Sequence, residues 1–240
     1  MMVIAVCAVL VLVGTVMVVR WGALPSGAGG QPDPASPQTK AFVRSLRSAL
    51  AAIAVGFASG LAAGALAAGA GGRLMMRLLA LTSPDARGQI TEAEEIVGNI
   101  SAEGTLELIG FCAFIGVPTG LLYVPLRRFL PVGRAGAITF GVLLLVLAGT
   151  RVEPLLADNL DFVLVGPAWL AVLAFSALVL FHGMLVAALA ERMSVAMPWV
   201  APQTAAYIRH RHVVSVGRAA IIVAVLVALP GFAAAIVDIL

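Results

Sequence analysis

The chain has 240 residues, of which 61% are hydrophobic and 11% charged. Soluble domains average about 45–50% apolar and about 25% charged residues, so this composition excludes an ordinary soluble fold. The formal charge of +3 and the pI near 9.4 do not point to nucleic acid, because the basic residues flank apolar segments instead of lining one polar face.

The first apolar run covers 3–19. It lacks a basic leader and exceeds the usual signal-peptide core, which predicts a retained helix. Residues 21–39 are rich in Pro, Gly, Ser and Ala and show no hydrophobic period, the composition of a flexible linker. A helix is expected to resume near Lys40, with Arg44 and Arg47 as its basic flank. A bilayer core of about 30 Å needs about 20 apolar residues in helix. Six segments approach this: 3–19, 48–70, 106–126, 135–150, 167–190 and 219–239. The fourth is short and lies between Arg134 and Arg151, whose side chains can snorkel. The expected fold is all-α: one membrane helical bundle of about six spans, with a first helix (1–20), a cytoplasmic linker (21–39) and a five-helix core (40–240).

Charge sorts by loop. One set of segments holds Arg20, Lys40, Arg44, Arg47, Arg127, Arg128, Arg134, Arg192, Arg209, Arg211 and Arg218, against only Asp33 and Glu191. The other holds Arg73, Arg77, Arg87 and Arg151 against ten acids. The sets alternate as six crossings require. The positive-inside rule then predicts cytoplasmic basic loops and two extracytoplasmic termini. Lys40 is the one lysine, and the wealth of Ala, Gly, Val and Arg fits a bacterial cell membrane protein from a GC-rich genome.

In the second segment Gly56, Gly60, Gly64, Ala68 and Gly72 recur every four positions. Such a smooth stripe lets another helix backbone come close, within the chain or in a homo-oligomer through Gly56, Gly60 and Gly64. Arg73 lies 26 residues beyond Arg47, about 39 Å of straight helix, which carries it past the hydrocarbon core. Arg73 and Arg77 share a helix face and are expected to pair with Glu92, Glu94, Glu95 or Glu107, clipping the second and third helices together. The intervening loop has β-branched residues and Gly98-Asn99, and reads as two short extended pieces, a loop or hairpin outside the membrane. Ser101 or Thr105 is the expected cap of the third helix.

The pattern Gly72-Arg73-x-x-Met76-Arg77-x-x-Ala80, then Thr91-Glu92, Gly98, Gly104-Thr105 and Tyr123, resembles a group of uncharacterised actinobacterial multi-pass membrane proteins. So does Asp161-Phe162-x-Leu164-x-Gly166-Pro167-x-Trp169-Leu170. The likeness covers about 50–192 and implies a multi-pass membrane fold with no assigned activity or site.

Polar residues inside spans are the default functional candidates. By helix rise from the charged flanks, Ser59, Thr119 and His182 fall near one depth, close to the midplane. A serine with a histidine on another helix is the minimum for an intramembrane hydrolase. Phe57-Ala58-Ser59-Gly60 lacks the glycine that rhomboid-type proteases place two residues before the serine. Pro118 and Pro230 interrupt the third and sixth helices, and paired interruptions can mark a transporter site. Cys7 and Cys112 sit in apolar runs and read as small core residues. Arg209-His210-Arg211-His212 repels a metal cation but suits anionic lipid, at Arg209 and Arg211. No catalytic, metal or cofactor motif stands out. The leading expectation is a non-enzymatic membrane protein, with a small-solute transporter or channel second and an intramembrane hydrolase third.

Overall fold

A computed structural model describes residues 2–20, 38–90, 96–149 and 165–196, together with 211–240; at 38–42, 44, 196 and 211–214 it describes the backbone alone. The described chain is helical throughout its apolar stretches. Helix α1 is Met2–Val19 and α2 is Gln38–Ala63. A π-helical segment, Gly64–Gly69, runs on into α3, Ala70–Thr82. Then come α4 (Ala102–Leu126), α5 (Arg134–Ala148), α6 (Ala168–Ala196) and α7 (Arg211–Ile239). With α2, the π segment and α3 taken as one rod, five rods are long and apolar enough to cross a membrane. The exception, α5, has 15 residues, about 22 Å of helix.

The expected all-α bundle is therefore the fold, with longer rods than the apolar runs alone mark. The second helix does not stop at Ala70. It begins at Gln38 and continues to Thr82, because nothing between breaks it. The π segment takes up one extra residue per turn within a run of Gly and Ala, which carry no bulk to resist the wider coil. It ends at Ser83, ahead of Pro84, where proline disfavours helix in the residue before it. Of the two expected caps of α4, Ser101 and Thr105, the cap is Ser101, whose Oγ accepts from Gly104 N at 3.0 Å. Before α5, Gly133 has φ of 76°, a left-handed turn position that glycine occupies without strain.

Between α3 and α4 the described chain forms a short 3-10 turn, Pro84–Ala86, and an isolated antiparallel bridge, Ile90 to Ile96. Val97 N donates to Gln89 O at 2.9 Å, and Gly88 N to Val97 O at 3.2 Å. Of the expected loop or hairpin, the described residues show this bridge and the two flanking backbone bonds, and 91–95 lie outside them. Ser83 Oγ accepts from Gly166 N, which ties the end of α3 to the entry of α6.

Two glycine-lined crossings hold the bundle together. On α2 and the π segment, Gly56, Gly60 and Gly64 lie against Gly120, Gly116 and Cys112 of α4. A Cβ added at Gly56 would sit 2.9 Å from Gly120 O, and Cβ atoms at Gly60 and Gly64 would strike the carbonyls of Gly116 and Cys112. The small-residue stripe is therefore spent inside the chain. This corrects the homo-oligomer expectation for Gly56, Gly60 and Gly64: their faces are filled by α4 and offer no room to a second copy. The second crossing joins α5 to α6, where a Cβ at Gly183 would lie 2.6 Å from Gly141 Cα.

Helix α6 is the hub, touching α1, α2, α3, α4, α5 and α7. Its Leu185, Val186, Ala187, Ala188 and Ala190 are fully enclosed, with Phe140 and Val55 beside them. Gly14 of α1 seats against Phe181 and Leu185, which brings the first helix into the bundle. Helix α7 lies at the periphery against α5 and α6, and none of its most apolar window is buried. Bare apolar residues such as Val216, Val227 and Val237 are what lipid-facing helices present.

Candidate functional site

The polar groups inside the bundle fall in three tiers. At the centre, α6 carries His182 and α4 carries Thr119. The His182 Nε2 and Thr119 Oγ1 lie 2.9 Å apart. Thr119 Oγ donates to Gly116 O at 2.7 Å, so its oxygen accepts from the imidazole Nε2–H. Nδ1 is then a lone-pair site. The ring lies beside the Ala63 backbone carbonyl, just before the π segment, yet no hydrogen bond of proper geometry reaches Nδ1.

Ser59 is fully enclosed on α2, and its Oγ donates to Gly56 O at 3.1 Å within its own helix. The structure thus joins Thr119 to His182 as their common depth predicts, and leaves Ser59 out. Helical depth fixes only one coordinate; the azimuth of Ser59 turns its hydroxyl back along α2. A nucleophile–base pair between Ser59 and His182 is not formed.

At one end of the bundle Arg73 is 6% exposed, and its Nε donates to Thr105 Oγ1 of α4 at 3.1 Å. Thr105 Oγ in turn donates to Ser101 O at 2.7 Å. Arg77 Nη1 donates to Gly98 O at 3.4 Å. These two arginines do connect the second rod to the loop and to α4. Glu107, an expected acid partner, is exposed on α4 and forms no ion pair among the described residues. Glu92, Glu94 and Glu95 lie outside the described residues.

At the opposite end lies a network that the sequence reading missed. Tyr123 is 2% exposed, its OH donates to Glu191 Oε1 at 3.3 Å, and its ring meets Phe140 edge-on at 5.0 Å. Arg127 Nη1 lies 3.7 Å from the same carboxylate oxygen and donates to Ser194 Oγ at 2.7 Å. Ser194 Oγ donates to Ala190 O at 2.7 Å. The available signal was Glu191, one of only two acids in the whole basic set of segments. An isolated acid among arginines at a helix end is placed to pair.

Pro118 and Pro230 do not share an interior. Both are exposed, Pro118 on α4 and Pro230 on peripheral α7, so they do not line a common path. Cys7 is buried and Cys112 half-buried, both as free thiols. No group of three or more His, Cys, Asp or Glu able to hold a metal occurs among the described residues. Arg209 lies outside them, and the side chain of Arg211 is not described.

Compared with protein-family models, with curated proteins and with solved structures, the chain matches none.

Proposed function

We propose that this chain is a non-enzymatic multi-pass membrane protein, inserted with its arginine-rich end in the cytoplasm and both termini outside. The observation behind the first part is the use of the buried hydroxyls. Ser59 bonds its own helix, Thr119 bonds Gly116 and His182, and Ser194 bonds Ala190 and Arg127. Among the described residues each of these three hydroxyls gives its proton to a carbonyl of its own helix, Thr119 included although it lies 2.9 Å from His182 Nε2, so none of them offers that proton to a base. A fluorophosphonate probe tests this. No labelling of the purified protein is expected; labelling that Ser59→Ala removes would reinstate the hydrolase reading.

The orientation rests on charge. Arg134 reaches Val19 O, Arg218 reaches Phe129 O and Arg127 reaches Ser194, so these helix ends share one side. Positive residues favour the cytoplasm. Asn99→Cys and Val132→Cys, in a background free of Cys7 and Cys112, are expected to label from outside and inside respectively. Labelling of both from one side would reject the arrangement. The likeness to actinobacterial membrane proteins is a proposal of kinship that adds no activity.

A second reading, transport of a small species, is favoured by one feature: the π segment beside His182 with its unpartnered Nδ1. π-Bulges recur at functional sites. Dye-monitored proton flux in proteoliposomes tests it, with His182→Gln as the variant. Flux that this variant abolishes would establish transport; flux equal to empty vesicles would reject proton movement.

A further inference from the structure

We infer that the corner where the α4–α5 loop meets α7 binds an anionic phospholipid, with Arg128 and Arg218 at Phe129 taking the headgroup side and the outer face of α7 taking the acyl chains. Three contacts build the corner. Arg128 Cζ lies 4.6 Å from the centroid of the Phe129 ring. Arg218 Nε of α7 donates to Phe129 O at 3.0 Å. The ring rests against Gly217, where an added Cβ would strike it. One residue of the loop thus carries two guanidinium groups, its own neighbour's and one from α7.

Arg128 is exposed, so a ligand reaches it from outside the chain. A guanidinium over an aromatic ring spends its face on the ring and keeps its N–H edge for an acceptor. Among the described residues no carboxylate pairs with Arg128. Arg218 is half-buried; it anchors the loop to α7 and adds a second positive charge. The excess of charge at this end is large. Of the two acids in the basic segments, Glu191 is held by Arg127 and Tyr123. That leaves Asp33, outside the described residues, against the ten other basic residues of the set. A phosphate diester offers a guanidinium planar, bidentate acceptance.

Depth and surface favour a lipid over free phosphate. Arg218 and Asp238 bracket residues 219–237, which carry no charge. The two lie 20 residues apart, about 30 Å of helix, which is the thickness of a hydrocarbon core. Arg218 therefore stands at the boundary of that core, and its bond to Phe129 sets the loop at the same level. A lipid phosphate sits just beyond this boundary. Within the core, Ile222, Leu226 and Leu229 continue from Arg218 along one face of α7 and are exposed, an apolar track for the acyl chains. The site requires only that this end meets a bilayer surface; the cytoplasmic assignment proposed above names its leaflet, and cysteine labelling tests that separately.

The test is native mass spectrometry and thermal unfolding of the full chain in detergent, with phosphatidylglycerol, phosphatidylcholine or inorganic phosphate added. Phosphatidylglycerol is expected to bind and raise Tm, and the other two to do neither. Arg128→Gln should weaken phosphatidylglycerol binding about fivefold, the scale of one basic residue at a membrane surface. Arg218→Gln should do the same; should it fail to fold, Arg128→Gln, at an exposed position, decides alone. Arg20→Gln makes the same charge change at an exposed position of the same end, away from Phe129. It should leave affinity within about twofold of the parent by the same scale. Equal binding by the parent and Arg128→Gln would overturn the site, and is the result that Asp33 covering the corner would give. Equal loss in Arg20→Gln would overturn it in favour of diffuse attraction. Equal shifts from inorganic phosphate would overturn the lipid, and equal binding of phosphatidylcholine would overturn the need for an anionic headgroup.

Discussion

Arg127 Nη1 of α4 lies 3.7 Å from Glu191 Oε1 of α6, with both side chains largely withdrawn from the surface at 9% and 21% exposure. The pair fastens the hub helix to the helix that the glycine stripe already grips. It is one corner of a network with Tyr123 and Ser194. An exposed pair would contribute about 0–1 kcal/mol, whereas breaking a buried one costs about 3–5 kcal/mol. This pair lies between those limits, since Glu191 keeps some exposure. Arg127→Ala is expected to cost about 1–3 kcal/mol on the same scales. A double-mutant cycle with Glu191→Gln, read by thermal unfolding in detergent, should give a coupling energy of the same sign. Strict additivity would mean that the two charges do not support one another.

The glycine crossing makes a sharper forecast. Gly60 meets Gly116 backbone to backbone, so an added methyl has no flexible neighbour to displace. Gly60→Ala and Gly116→Ala should each cost at least about 1–3 kcal/mol, the range for overpacking a dense interior. Gly110→Ala, on the same α4 helix but with nothing within 4 Å of the added Cβ, is the control and should be neutral or stabilising through its better helix propensity. Similar losses at all three positions would show that α2 and α4 do not pack through this stripe.

Close packing along Gly56, Gly60 and Gly64 was legible because a period of four on a helix marks one face whatever lies opposite. Its partner was not legible: the stripe says that a backbone approaches, and only the fold says that it is α4 of the same chain. Thr119 and His182 were legible by depth, since helix rise converts sequence distance from charged flanks into height. Ser59 shared that height but points elsewhere, because height carries no azimuth. The π segment left little signal. Gly64-Ala65-Leu66-Ala67-Ala68-Gly69 suits an α-helix as well as a wider coil, and packing against α4 and α1 decides between them. The network at Tyr123, Arg127, Glu191 and Ser194 joins residues 64 to 68 positions apart in sequence, a separation for which periodicity has no ruler.

The central pair should prove modest in energy. Interhelical polar contacts within membranes average about 0.6 kcal/mol, with a maximum near 1.7 kcal/mol. A cycle of Thr119→Val and His182→Gln should return a coupling in that range. Thr119→Val removes the acceptor of the Nε2–H, and the buried imidazole then has neither nitrogen satisfied. His182→Leu, similar in bulk and without a proton to place, should therefore be less damaging in the Thr119→Val background than in the parent. Equal damage in both backgrounds would show that the 2.9 Å contact contributes nothing to stability.

At the other end of the bundle, Arg73 and Arg77 separate into unequal partners. Arg73 is enclosed and donates to a threonine that is itself anchored to Ser101 O, inside the capped first turn of α4. Arg77 is half-exposed, and its bond to Gly98 O is long at 3.4 Å. Removing a partner from a buried charged donor costs about 1.5–3 kcal/mol, whereas a weak exposed bond is worth a fraction of that. Arg73→Gln should thus lower thermal stability well below Arg77→Gln. Thr105→Val should reproduce part of the Arg73 loss, because it deletes one acceptor of the guanidinium while keeping the shape. Arg73→Lys should rescue little, since a lysine presents no Nε at the guanidinium's fixed angle. If instead Arg77→Gln were the more damaging, the connection between α3 and α4 would run through the loop at Gly98 and not through the side chain of Thr105.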